Sequence, residues 1–172
     1  ADLWKKAQGI HEGIVQPYHE SKSISTENTF EENKTDEGFL LSELVRMTEK
    51  VAYELRQDGK LAGCIAVKIR YPNFDTTSKQ TSISYTLRDD ELIPVAIDLF
   101  HKLYQKGQPI RLLGVRLSEL TSHVLQGSLF DESDKKGDLY KAIDAVKNKF
   151  GKGALQKART VRSQEKNNPP KG

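Results

Sequence analysis

The sequence predicts an α+β fold: a four-stranded sheet with two helices on one face (βαββαβ), plus a C-terminal tail with a short helix. Three observations predict it. Four short segments alternate apolar and polar residues with a period of two, which sends successive side chains to opposite faces of a strand. Two longer segments repeat apolar residues three and four apart, the spacing of one helix face. Glycine and proline clusters mark the boundaries between them.

Residues 1–10 read as the last turns of a helix, with Trp4 and Ile10 apolar and Lys5-Lys6 exposed; Gly9 and Gly13 break it. Gln16-Pro17-Tyr18-His19-Glu20 is an extended connector, because the residue before a proline avoids the helical region, and a domain boundary falls there. Residues 21–30, rich in Ser and Thr, form a half-buried or edge strand. Thr35-Asp36-Glu37 opens a long helix, an N-cap candidate followed by acid in the first turn. Its buried face is Leu40, Leu41, Leu44, Val45, Val51, Ala52 and Leu55, and Gly59 ends it. Residues 61–71 form a strand, with Ile65, Val67, Ile69 and Tyr71 inward and Ala66, Lys68 and Arg70 outward. After a Pro72-Asn73-Phe74-Asp75 turn, residues 81–87 place Ile83, Tyr85 and Leu87 inward and Ser82, Ser84 and Thr86 outward.

Asp89 or Asp90 caps the second helix, whose core face is Ile93, Ala96, Ile97, Phe100 and Leu103, and Gly107-Gln108-Pro109 closes it. Residues 111–120 are the last strand, with Leu113, Val115 and Leu117 inward and Gly114, Arg116 and Ser118 outward. A short helix over 138–150 has Leu139, Ala142, Ile143, Val146 and Phe150 in register, and the tail beyond it reads as disordered. No internal repeat is present.

Composition narrows the function classes. At 172 residues the chain holds one ordinary domain with appendages, and 36% apolar with 30% charged residues suits a small core with long polar ends. The only Met is Met47 and the chain opens Ala1-Asp2-Leu3-Trp4, so a piece cut from something longer is expected. The single Cys64 excludes an internal disulfide framework and favours a reducing, cytoplasmic setting. No apolar run reaches the roughly 18 residues of a membrane span, so no membrane partner is expected.

Net charge is +3, but residues 152–172 hold six basic side chains and one acid. The remainder keeps 21 of 27 basic and 23 of 24 acidic residues, a net of −2, so any argument for nucleic acid must come from a basic face.

Such a face follows from strand parity. The side opposite the core reads Ser23, Ser25, Lys68, Arg70, Ser82, Ser84, Thr86, Gly114, Arg116 and Ser118, with Glu27 its one acid. Hydroxyls and main-chain N–H groups donate to phosphate oxygens while Lys and Arg supply charge. Exposed aromatics that stack on unpaired bases are missing from this reading, so it favours duplex backbone over single strand. The plain alternative is a solvated sheet face, since antiparallel sheets commonly wet one side. A second feature is Gln126-Gly127-Ser128-Leu129-Phe130, a polar amide and two apolar anchors before the charged stretch 131–138. This is the pattern of a peptide plug that docks in a pocket on another protein.

Three stretches carry a family resemblance: Lys22-Ser23-Ile24-Ser25-Thr26-Glu27-Asn28-Thr29-Phe30, Ile110-Arg111-Leu112-Leu113-Gly114-Val115-Arg116-Leu117-Ser118, and the plug at 126–130. In that order, around a two-helix sheet domain, they make the chain resemble the C-terminal part of a Y-family translesion DNA polymerase of the bacterial DNA polymerase IV type. The resemblance covers roughly residues 1–130. It implies the end of the thumb and a linker at 1–20, a little finger DNA-binding domain at 21–121 and a clamp-binding segment at 122–135. A short helix at 136–151 and a basic tail at 152–172 follow.

The family's little finger lays its sheet along primer–template duplex, which implies phosphate contacts from Lys22, Ser23, Ser25, Arg70, Lys79, Thr81, Arg111 and Arg116, to which strand parity adds Lys68. Parity puts Arg111 on the core side, and only its place at the strand's start frees it. Some relatives carry a further basic residue where this chain has Leu112. The family's plug binds the sliding clamp, which gives that role to Gln126, Leu129 and Phe130. In many relatives the plug ends the chain, whereas here some forty residues follow.

The resemblance also implies that catalysis by carboxylates holding two Mg²⁺ belongs to a palm domain of the parent. No catalytic residue and no cofactor are expected here, because Asp89-Asp90-Glu91 is the only close acidic group and it reads as a helix start. His11, His19, His101 and His123 lack ligand spacing, so no metal site is expected. Cys64, with no nearby His, is a small strand residue. The rival readings are a small-molecule-sensing α+β regulatory domain, with a pocket between sheet and helices, and a standalone enzyme.

Overall fold

The computed structural model describes residues 2–9, 21–122 and 133–155. Within them the order is α1 (Asp2–Ala7), β1 (Ser23–Lys34), α2 (Glu37–Gln57), β2 (Lys60–Arg70), β3 (Thr76–Thr86), α3 (Asp89–Leu103), β4 (Ile110–Ser122) and α4 (Ser133–Phe150). The four strands form one antiparallel sheet in the order β1-β4-β2-β3. Each βαβ unit therefore straddles a strand of the other, β1-α2-β2 around β4 and β3-α3-β4 around β2. The predicted α+β layout is the one observed. Strand position accounts for composition: the central β2 and β4 are apolar and largely buried, while the edges β1 and β3 are Ser/Thr-rich and exposed.

Helix α2 starts where the sequence places it. Asp36 is the N-cap and its carboxylate accepts from Phe39 N at 3.1 Å. The helix ends at Gln57 with Asp58 as its C-cap, and Gly59 follows with a φ of 62°, in the left-handed region that only glycine enters cheaply. Its inner stripe (Leu40, Leu44, Met47, Val51, Ala52, Leu55) is at most 1% exposed and meets Ile65, Val67 and Ile69 of β2 and Leu113, Val115 and Leu117 of β4 in one core. Each buried Leu, Ile, Val or Met side chain here is worth about 1.5–3 kcal/mol. Glu43, 4% exposed, is also on this helix; it is satisfied by Asn28 Nδ2 at 2.8 Å and by the Arg46 guanidinium. That hydrogen bond holds the Arg46 pKa above its ordinary value.

Three expectations are corrected. Arg88, not Asp89 or Asp90, is the N-cap of α3, and it makes no side-chain cap bond. Thr86 does the equivalent work, accepting from Arg88 N at 3.1 Å and donating to Glu91 at 2.5 Å. The buried face of α3 is rotated accordingly, to Leu92, Ala96, Leu99 and Phe100, with Ile93 and Ile97 at its margin.

The second correction concerns β3, where Thr86 is buried and Tyr85 is 57% exposed, the reverse of simple alternation. The register explains this: Cys64 pairs with Ser82 but Ala62 with Thr86, so three β3 residues lie opposite Gly63 alone. Glu119 on β4 has a φ of 55° at the same level.

The third is α4, which starts at Ser133 and does not bury Leu139 or Phe150, 56% and 68% exposed. It is fastened by polar groups to the helical layer. Arg56 near the end of α2 makes a bidentate bond to Asp144 at 2.7 and 2.9 Å, donates to Leu87 O, and lies 4.8 Å from the Tyr140 ring centre. The Tyr140 hydroxyl is 2.6 Å from Asp89 Oδ1 and 2.8 Å from Asp90 Oδ1 and accepts from Asp90 N. Tyr53 donates to Asn148. Burial, then these carboxylates, push the Tyr140 pKa well above its usual value.

Candidate nucleic-acid interface

No helix covers the second face of the sheet among the described residues, because α2, α3 and α4 all lie on the other side. Cross-strand partners share a face, so register builds this surface in rows across four strands. They read Ser23-Ser118-Cys64-Ser82, then Ser25-Arg116-Ala66-Gln80, then Glu27-Gly114-Lys68-Ser78, then Thr29-Leu112-Arg70-Thr76. Successive rows are two residues, or about 7 Å, apart. The middle rows line a shallow concavity of about 570 Å³.

Charge in this surface is unevenly available. Arg116 is exposed, and no hydrogen bond or ion pair is formed by it among the described residues. Lys68 is held by Glu27, Nζ to Oε1 2.8 Å, and the Glu27 side chain crosses the strand at Gly114, where a Cβ would stand 3.1 Å from its Cγ. Gly114 thus permits Glu27 to reach across the strand to Lys68. Arg70 donates to Thr76 Oγ1 at 2.8 Å, which holds the guanidinium along the edge. Leu112, in the last of these rows, is 5% exposed.

Of the residues singled out in the sequence, the structure brings Ser23, Ser25, Lys68, Arg70 and Arg116 onto this surface, with Lys22 exposed just before β1. It does not bring Lys79 and Thr81 there. They pair with Val67 and Ile65, both core-facing, so they project to the helix side of the edge strand. Ser78 and Gln80 occupy the open face instead, residues the sequence reading missed because it began β3 five residues late.

Arg111 lies outside the concavity, its guanidinium 5.0 Å from the ring centre of Phe74, itself 64% exposed with a φ of 69° in the β2–β3 turn. Gln126, Leu129 and Phe130 fall outside the described residues.

The acids do not suit a two-metal centre. Asp89 and Asp90 face Tyr140, while Asp90 and Glu91 bind Arg88 and Glu91 also accepts from Thr86. No His/Cys/Asp/Glu group among the described residues could hold a metal ion, and no described helix is long and apolar enough to cross a membrane.

Comparison with known proteins agrees with this geometry. The sequence model of the impB/mucB/samB family C-terminal domain matches residues 21–129. A DNA polymerase IV of Dehalococcoides mccartyi is 30% identical over 162 residues, covering 93% of this chain and 42% of that protein. Another, of Streptococcus pneumoniae, is 35% identical over 118 residues, covering 68% of this chain and 33% of that protein. Among solved structures, a Y-family DNA polymerase chimera superposes with a TM-score of 0.54 at 23% identity, over 70% of this chain and 35% of that one. Dbh DNA polymerase in a post-insertion binary complex gives 0.52 at 22% identity, with the same coverage.

The fold is that of the Y-family little finger. The chain belongs to the impB/mucB/samB C-terminal domain family, and the relatives it matches are DNA polymerase IV proteins. It spans about two fifths or less of the relatives it matches.

Proposed function

We propose that this chain grips primer–template duplex through its phosphate backbone and docks its parent, a DNA-directed DNA polymerase active in translesion repair synthesis, on the sliding clamp. The observation that carries the reading is the open face: four rows of largely small, hydroxylated and basic side chains around Arg116, which pairs with none of the described residues. Small residues let a backbone approach, hydroxyls donate to its oxygens, and the cations displace counterions. Ser23, Ser25, Lys68, Arg70 and Arg116 make this grip from the sheet, Lys22 from its margin and Arg111 from the hairpin end.

Contacts to phosphate alone are weak and indifferent to base identity, which tolerates damaged templates. Docking on the clamp through Gln126, Leu129 and Phe130 raises the local concentration to roughly millimolar, so a weak grip suffices. Nucleotidyl transfer and its Mg²⁺ belong to a palm domain of the parent, a cytoplasmic protein.

Two titrations test this. Fluorescence anisotropy with blunt duplex is expected to show binding that weakens with salt, and Arg116→Ala to lower both affinity and salt slope. Calorimetry against the sliding clamp of the same source is expected to show micromolar binding, abolished by the Leu129→Ala/Phe130→Ala double substitution. Duplex binding indifferent to salt and to Arg116 would remove the first role, and a clamp titration without heat the second.

A further inference from the structure

The open face ends, on the side where β1 begins, in a constellation that phosphate contacts leave unused. Gly63, Tyr85 and Glu119 meet where the alternation slips. A Cβ on Gly63 would lie 2.8 Å from Tyr85 Cε1, 3.0 Å from its Cζ and 3.2 Å from Glu119 Oε2. Only glycine therefore lets the ring rest against the strand. Thr86 turns inward beside it, so Tyr85 projects to the open side, where it is 57% exposed. Its hydroxyl has no partner among the described residues.

A ring backed by a strand and open to solvent on its other side is a pre-ordered stacking surface, and every base has a face to lay on it. The carboxylate at its flank selects what lies there. It repels phosphate, and it accepts from the amino groups that adenine, cytosine and guanine carry and thymine lacks. In a paired duplex the base faces are covered by their neighbours, so the occupant must be unpaired. We propose that Tyr85 and Glu119 form a stacking subsite for an unpaired, amino-bearing base in a single-stranded extension of the nucleic acid on the sheet. The inference rests on the duplex-binding reading and adds to it a contact with bases.

The test compares the full chain on blunt duplex and on the same duplex with a single-stranded extension containing 2-aminopurine. The extension is expected to tighten wild-type binding roughly tenfold and quench the 2-aminopurine emission. Tyr85→Phe should keep both effects. Tyr85→Leu, which still covers Gly63, should lose both while binding blunt duplex as the wild type does. An extension without effect on the wild type, or a Tyr85→Leu loss equal on both substrates, overturns the subsite and leaves the duplex grip standing. No binding to either substrate overturns both readings.

Discussion

Glu27 and Lys68 set how much of the open face is electrically available. Their 2.8 Å contact is half-exposed, and such pairs contribute about 0.2–1 kcal/mol. A phosphate must compete with that carboxylate for the lysine. Glu27→Gln is therefore expected to tighten duplex binding about threefold and to steepen the dependence of log K on log salt by about 0.9, the value of one further neutralised phosphate. Anisotropy titrations at several salt concentrations would show it, and an unchanged slope would mean that Lys68 never engages the backbone. Phe74 acts at the same scale on Arg111: stacking holds the guanidinium, so Phe74→Ala should weaken duplex binding with Arg111 present and change nothing in an Arg111→Ala background.

At the scale of elements, α4 is secured by Arg56, Asp144 and Tyr140 more than by apolar contact. The charged side chains are 6% and 11% exposed, and breaking a pair this buried leaves a charge without its partner. Arg56→Ala is expected to cost about 3 kcal/mol in urea unfolding and to release α4. Deprotonation should loosen the same joint. The fold raises the Tyr140 pKa, so the native state retains a proton that the unfolded chain gives up near pH 10. The contribution of Tyr140 to stability is thus full below about pH 10 and declines as pH rises above it. Ring ¹³C NMR should find Tyr140 still protonated through pH 10, and a midpoint at the ordinary value would show the joint to be open.

For the whole molecule, salt dependence measures how large the grip is. Of the cations in the proposed grip, Lys22, Arg70, Arg111 and Arg116 are held by no carboxylate among the described residues, whereas Lys68 is held by Glu27, which predicts a slope of log K against log salt of about −3.6. A much steeper slope would put the main contact elsewhere, with the basic residues of 152–172 the first place to look. Affinity of this kind fits a surface whose host sequence, 1–151, carries a net charge of −2. Attraction is confined to one face and does not come from the chain's overall charge.

The sequence by itself determined the elements, their order and the composition of both sheet faces. Those follow from periods of two and 3.6 and from signals such as Asp36 and Gly59, which act over a few residues. Parity alone placed Ser23, Ser25, Lys68, Arg70 and Arg116 together. Pairing decided the rest. The slip opposite Gly63 turned Tyr85 out and Thr86 in, and the same register carried Lys79 and Thr81 to the helix side. The reach of Glu27 over Gly114 to Lys68, and of Arg56 to Asp144 across 88 residues of chain, joins groups that no local pattern connects. A strand's alternation is a local property, whereas its register is set jointly with its neighbours, so a bulge or a buried charge becomes visible only when the strands and helices meet.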